Sequence, residues 1–259
     1  MTKNNHMTTC PVCGEAQWKS LYNLKPWTIE ECTTCRFARI DPLPERAERP
    51  DMYSEEKIVS RQNKKRGAIS QAALVSKRWL NKNFRHNKNK IFLDKLHTYL
   101  PRGGRLLDGG CGAGGILLHA RDRYECHGIE ISAYLAELAN RNKGLNVQVG
   151  DLQTYDFKEL KFDAITLVSI IEHLDDPAGM VRKCYDLLAP GGVLLLKTPN
   201  FMCLNRFIRR SGWPGLRPPD HLVYFSPRNL QLLLEKAGFR RFRTTALPFN
   251  DNMYIDAFK

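Results

Sequence analysis

Between residues 105 and 198 short apolar runs alternate with longer amphipathic stretches. Residues 105–108, 125–130, 146–150, 162–169 and 192–198 have the length and bounding residues of strands. Between them, 115–122, 132–143 and 177–188 space their apolar residues three and four apart, which predicts helices, and a short element falls near 156–160. A chain that alternates in this way forms an α/β fold: a doubly wound, Rossmann-like, mostly parallel sheet with helices on both faces. Five parallel strands are expected. Ser226-Pro227 then opens a helix that Gly238 stops, and 240–248 reads as a sixth strand.

The pattern is less regular outside this block. Phe92, Leu96 and Tyr99 give the stretch 84–99 one apolar helical face, and 55–80 reads as a second, polar helix. Residues 199–225, rich in proline and arginine, show no period and read as a long insertion or lid. It leaves a strand at its carboxyl end, where open α/β sheets bind ligands. Only Phe249 to Lys259 follow the sixth strand, so a further strand is expected to be very brief or missing and the chain to be a truncated product.

Cysteine spacing adds a second unit. Cys10-Pro-Val-Cys13 and Cys32-Thr-Thr-Cys35 are two C-x2-C knuckles with 18 residues between them, the ligand spacing of a four-cysteine zinc ribbon. Four thiolates close the tetrahedron, so this zinc would be structural. Short strands are expected near Trp18–Tyr22 and Thr28–Glu31, and Asp41-Pro-Leu-Pro-Glu marks the boundary. The remaining Cys111, Cys126, Cys184 and Cys203 are scattered and read as reduced thiols. Three segments follow: a zinc-ribbon module over 1–44, a basic helical linker or lid over 45–100, and the α/β domain over 101–259.

With 259 residues there is room to bury a core without disulfides, and neither a signal peptide nor a bilayer-spanning apolar run stands in the sequence, which points to the cytoplasm. Forty Lys and Arg oppose 27 Asp and Glu. Residues 57–90 hold eleven basic and no acidic residues, and 201–243 hold nine against two. A solvated helix face accounts for such a run, but two of them flanking one domain suggest an anionic partner: a phosphorylated small molecule, nucleic acid or a peripheral membrane surface.

The chemistry concentrates in Gly104-Arg-Leu-Leu-Asp-Gly-Gly-Cys-Gly-Ala-Gly-Gly-Ile116, a strand running through a glycine turn into a helix. Glycines allow the sharp turn and let a ligand touch the main chain. Gly110-x-Gly112-x-x-Gly115 also satisfies the dinucleotide fingerprint, and Glu130, 18 residues past Gly112, suits ribose hydroxyls of either a nicotinamide or an adenosyl ligand. Asp108 decides between them. A carboxylate there repels pyrophosphate, whereas S-adenosylmethionine brings an ammonium and a sulfonium and no phosphate.

Asp108-x-Gly110-Cys111-Gly112-x-Gly114, Glu130, Val149-Gly150-Asp151, Phe162-Asp163 and Glu172-His173-Leu174-Asp175-Asp176-Pro177 together resemble the class I S-adenosylmethionine-dependent methyltransferases over roughly residues 90–245. The resemblance implies a cofactor set of Asp108, Gly110, Gly112, Gly114, Glu130, Ile131, Asp151 and Ser169, with Asp151 accepting from the adenine amino group. It also implies a last antiparallel strand inserted between the fifth and sixth. Ubiquinone-type O-methyltransferases of this class carry a metal-binding Glu-x-x-Glu-His. Here Ser169 stands at the first Glu position, so only Glu172 and His173 match, and they read more simply as polar residues at a strand-to-helix turn.

If the acceptor is a hydroxyl, a base is needed, and His221 and His173 are the candidates. His221, in Asp220-His-Leu-Val-Tyr-Phe-Ser, resembles a lid motif near the acceptor and is preferred, because His173 sits at a turn the fold must make anyway. The leading reading is a methyltransferase acting on a small molecule such as a sugar, nucleotide-sugar or quinone-like acceptor. Two others stand beside it: an RNA methyltransferase gripping phosphates with the ribbon and the basic helices, and a non-catalytic binding or assembly protein on the same fold.

Overall fold

A computed structural model describes residues 7–44 and 88–259. Residues 45–87, with the helix expected over 55–80 and most of the basic stretch 57–90, lie outside the described residues. Among those described, no helix is long and apolar enough to cross a membrane.

The first unit is an antiparallel sheet of β1 (Trp18–Leu24), β2 (Trp27–Cys32) and β3 (Ala38–Asp41). The second begins with helix α1 (Lys88–Tyr99), followed by β4 (Arg105–Gly109), α2 (Gly115–Ala120), β5 (Glu125–Glu130), α3 (Ala133–Lys143) and β6 (Val147–Val149). After β7 (Phe162–Val168) come a 3-10 turn at Ile171–His173, α4 (Pro177–Leu187) and β8 (Leu188–Pro199). The chain then passes through α5 (Leu204–Arg209), a second 3-10 turn, β9 (Val223–Tyr224), α6 (Pro227–Ala237), β10 (Arg241–Thr245) and β11 (Asn252–Phe258).

The main sheet has seven strands in the order β10-β11-β8-β7-β4-β5-β6. Its five parallel strands are those expected from the apolar runs, since β4 pairs in parallel with β5 and β7, β5 with β6, and β7 with β8. Helix starts follow the residue chemistry. Asp176 caps α4 by accepting from the Gly179 N–H at 2.8 Å, with Pro177 in the first turn. Ser226 and Asn229 form a capping box on α6, and Gly238 ends that helix in the left-handed region. The short element expected near 156–160 is not helical.

Two expectations are corrected. The last strand is neither brief nor missing: β11 has seven residues and lies between β8 and β10, antiparallel to both, in register from Asn252 opposite Pro199 to Phe258 opposite Val193. A tight connection over 246–251 leaves enough chain for it, and Met253, Ile255 and Ala257 bury one face.

Nor is 199–225 an open insertion. Phe201, Trp213, Leu222, Tyr224 and Phe225 are all buried, and β9 pairs with β3, making the ribbon sheet four-stranded. Ala38 stands opposite Tyr224 and Arg39 opposite Val223, while the Ile40 N–H donates to the Leu222 carbonyl at 2.9 Å. Phe37 packs on Phe225 at 5.2 Å between ring centroids, and Arg206 donates to the Tyr22 hydroxyl. One apolar core therefore runs from Val12, Ile29 and Phe37 of the ribbon to Leu194, Leu196 and Phe201 of the domain. On the other sheet face, Phe92 and Leu96 of α1 join Leu106, Ile116 and Leu195 in a second core.

Candidate functional site

At the carboxyl edge of the parallel strands a cavity of about 440 Å³ opens between the ends of β4, β5, β6 and β7. Of the residues assigned to the cofactor from sequence, Gly110, Glu130, Ile131, Asp151 and Ser169 line it. Asp108, Gly112 and Gly114 are not among its lining residues. The Gly112 N–H donates to Glu130 Oε2 at 2.8 Å and the Ser132 N–H to Oε1 at 2.9 Å, which fixes the carboxylate at the end of β5. Asp151, at the end of β6, accepts from the Gln153 N–H at 2.9 Å and keeps an exposed carboxylate. Ile170, Leu152 and Met180 also form the wall. Sequence reasoning missed these three because apolar side chains facing a cofactor are indistinguishable from core residues by pattern.

The glycines have specific reasons. Gly110 has φ +66°, and a Cβ there would lie 2.2 Å from Cδ1 of Ile170. Gly114, at φ +69°, would strike Leu145 at 2.3 Å. A side chain at 110 therefore meets protein before any question of the ligand arises.

Asp108 is buried and accepts from the Thr166 hydroxyl at 2.6 Å. Burial pushes its carboxyl up to about 7; the Thr166 bond opposes this and the neighbouring Glu130 adds to it.

At the end of β7, Ser169 adopts φ +59° and accepts from the buried Lys197 ammonium at 2.7 Å. Beside it Glu172, His173 and His221 converge, with donor atoms all within 4.8 Å of one another. The two imidazoles meet edge to face at 4.9 Å. His173 Nδ1 contacts the Asp220 carbonyl, and His221 Nδ1 contacts the Gly215 carbonyl at 2.8 Å. A carbonyl only accepts, so both Nδ1 atoms carry a proton, and in the neutral form of each ring Nε2 presents the lone pair.

Glu172 is buried; its Oε2 accepts from Thr198 at 2.9 Å, while Oε1 has no hydrogen-bond partner. An orphaned buried carboxylate oxygen beside two imidazole lone pairs fits a divalent cation, with each Nδ1–H held by a carbonyl as metal-bound histidines require. The two histidines differ in access. His173 lines the cavity, whereas His221 is 4% exposed and does not. Burial, reinforced by His173, pushes the His221 imidazole down to about 3.

The second candidate centre is in the ribbon. Sγ atoms of Cys10 and Cys35 lie 3.4 Å apart, those of Cys13 and Cys32 3.5 Å apart, and all four fall within 4.8 Å. A tetrahedron of sulfurs about 2.3 Å from a central zinc requires separations in this range. Burial pushes the Cys10 thiol up to about 11 and raises Cys35 further. Burial acts the same way on Cys32, but N–H groups of Cys35 and Thr34 outweigh it and hold that thiol low. A cation taking all four as thiolates resolves this conflict, so the cluster fits zinc.

Comparison with known proteins agrees with this geometry. Residues 81–241 match a family described as a methyltransferase domain. Among curated proteins, the chain is 31% identical over 149 residues to the ubiquinone biosynthesis O-methyltransferase of Neisseria meningitidis, covering 52% of this chain and 62% of that one. It is 34% identical over 125 residues to the protein of the same name from Xanthomonas axonopodis pv. citri, covering 44% and 52%. The chain thus spans about half to three fifths of the length of these relatives.

Among solved structures, a possible histamine N-methyltransferase from Thermotoga maritima superposes with a TM-score of 0.51 at 20% identity, over 66% of this chain and 96% of that one. An amino pentose methyltransferase from Micromonospora echinaspora gives 0.53 at 18% identity, over 71% and 96%. At such identities the likeness is one of fold. The glycine turn, the carboxylate at the end of β5 and a family match over more than half of the sequence lead to one conclusion: the chain belongs to the methyltransferase-domain family.

Proposed function

We propose that the protein transfers methyl from S-adenosylmethionine to a hydroxyl of a small acceptor, quinone-like or sugar-like, in the cytoplasm. The observation that supports this reading is the convergence of His173, on the cavity wall, with the orphaned carboxylate oxygen of Glu172. Methyl transfer is an in-line displacement, and holding the acceptor oxygen opposite the sulfonium supplies most of the acceleration. A hydroxyl must also lose its proton, and His173, a residue of the cavity wall, is the base in this reading. His221, one layer behind, is the positioning residue: its contact with Gly215 and its packing on His173 hold the ring in place.

Glu172, His173 and His221 are also the residues that would hold a divalent cation. Bound there, the ion would take the Nε2 lone pair of His173 and act in place of that base, as a Lewis acid toward the acceptor oxygen. The names of the curated relatives favour a quinone-like hydroxyl. In the ribbon, Cys10, Cys13, Cys32 and Cys35 hold a structural zinc.

Transfer of labelled methyl to a panel of catechols, sugars, nucleotide-sugars and bulk RNA tests the reading. Label is expected on a hydroxyl-bearing small molecule, and His173→Ala should lower kcat by about 10²–10⁴-fold while leaving cofactor affinity nearly unchanged. Label in RNA alone would replace this reading with the nucleic-acid one.

A further inference from the structure

Helix α5 is built inside out. Of its two arginines, Arg206 is buried, donating to the Phe201 carbonyl and the Tyr22 hydroxyl and stacked 4.2 Å from the Phe201 ring. Its apolar residues face outward: Leu204, Phe207 and Ile208 stand at i, i+3 and i+4, and Ile208 is 71% exposed. Leu247 and Phe249, also exposed, lie alongside, because the Leu204 N–H donates to the Pro248 carbonyl at 2.7 Å and the Asn205 amide to the Phe249 carbonyl at 2.9 Å. Five of the seven exposed large apolar side chains among the described residues therefore belong to one face. Exposed apolar residues scattered singly need no explanation; a contiguous stripe does.

Charge indicates what covers it. Arg209 and Arg210, both exposed, close the helix beside the stripe, on a chain with 40 basic and 27 acidic residues. We propose that this face docks on an anionic phospholipid surface, with the apolar stripe entering the headgroup boundary and the arginines pairing with lipid phosphates. Apolar area and basic charge presented together on one helix face are what interfacial attachment requires. Position fits as well. α5 follows the end of β8, and Asn252 pairs with Pro199, so both segments stand at the carboxyl edge of the sheet, where the cofactor cavity opens. The inference does not depend on which acceptor is methylated.

The test is co-sedimentation of the full-length, zinc-loaded protein with vesicles of phosphatidylcholine, with and without phosphatidylglycerol. Binding is expected only with the anionic lipid and should weaken as salt is raised. The double substitution Ile208→Ser, Phe249→Ser should reduce it by about tenfold or more, and Arg209→Glu with Arg210→Glu should abolish the preference for anionic lipid. Unchanged S-adenosylmethionine affinity in each variant establishes that it is folded. Absence of wild-type binding overturns the proposal, and so does equal binding by the Ile208, Phe249 variant, which would assign attachment to another basic segment. A self-association in sedimentation velocity that the same variant removes would assign the face to a second copy instead.

Discussion

The cofactor end of the sheet and the wall around His221 are assembled from different distances along the chain. At the first, Asp108, Gly110, Gly112 and Glu130 come from one strand-turn-helix unit and the strand beside it, and main-chain N–H groups of Gly112 and Ser132 fix the carboxylate. At the second, three remote segments meet. Leu222 donates its N–H to the Glu172 carbonyl at 2.8 Å and accepts from Ile40 of the ribbon at 2.9 Å, so the peptide next to His221 is held from both sides. The first region can form wherever the local sequence is intact. The second exists only when ribbon, insertion and sheet are all in place.

Breaking the four-cysteine cluster should give the largest separation between the two. Structural zinc contributes on the order of 10 kcal/mol to small cysteine modules. In Cys32→Ser, zinc content should fall, and hydrogen exchange should accelerate over 18–41 and also over 222–225. S-adenosylmethionine affinity, measured by calorimetry, should change little. Equal loss of cofactor binding would erase the distinction.

Gly110→Val attacks the other side. A left-handed backbone and a contact at 2.2 Å with Ile170 combine to cost about 2–5 kcal/mol locally. Cofactor binding should be lost while zinc content and protection of 222–225 stay as in the wild type. Glu130→Ala is milder, weakening S-adenosylmethionine binding by about 1.5–3 kcal/mol, the scale of hydrogen bonds to a charged group, again without effect on the ribbon.

The smallest effect is one of pH. With its carboxyl raised to about 7 by burial, Asp108 takes up a proton on folding at any pH between the ordinary carboxylate value and 7. Its contribution to stability is therefore present at low pH and lost as pH rises through about 7. Affinity for the cationic cofactor runs the other way, since only the ionised form attracts it: below pH 7 it should fall by up to about tenfold per pH unit. Asp108→Asn should flatten both trends, and a titration of affinity between pH 6 and 8 in the two proteins would check this.

The same contrast explains what could be read from the sequence. The five parallel strands, the caps at Asp176 and Ser226, the cysteine knuckles and the glycine turn are encoded by neighbouring residues, so pattern and spacing suffice. Three features are not. The run from 199 to 225 lacks a period because its order comes from burying Phe201, Trp213 and Phe225 against distant partners. Length alone argues against strand β11, although its seven residues find two ready edges in β8 and β10. The meeting of His173 with His221 joins positions far apart in sequence through a carbonyl contact at each ring, which no local signal announces.

The bond between Ile40 and Leu222 also bears on how the molecule is made. Most of the chain lies between these two residues, so their pairing is a contact of very long range, and closing such a loop is slow compared with forming local turns. The ribbon's own three strands can pair soon after residue 41 is synthesised, yet the third keeps an unpaired edge until β9 arrives. During that interval β3 is the exposed strand edge on which misassembly with another chain would begin.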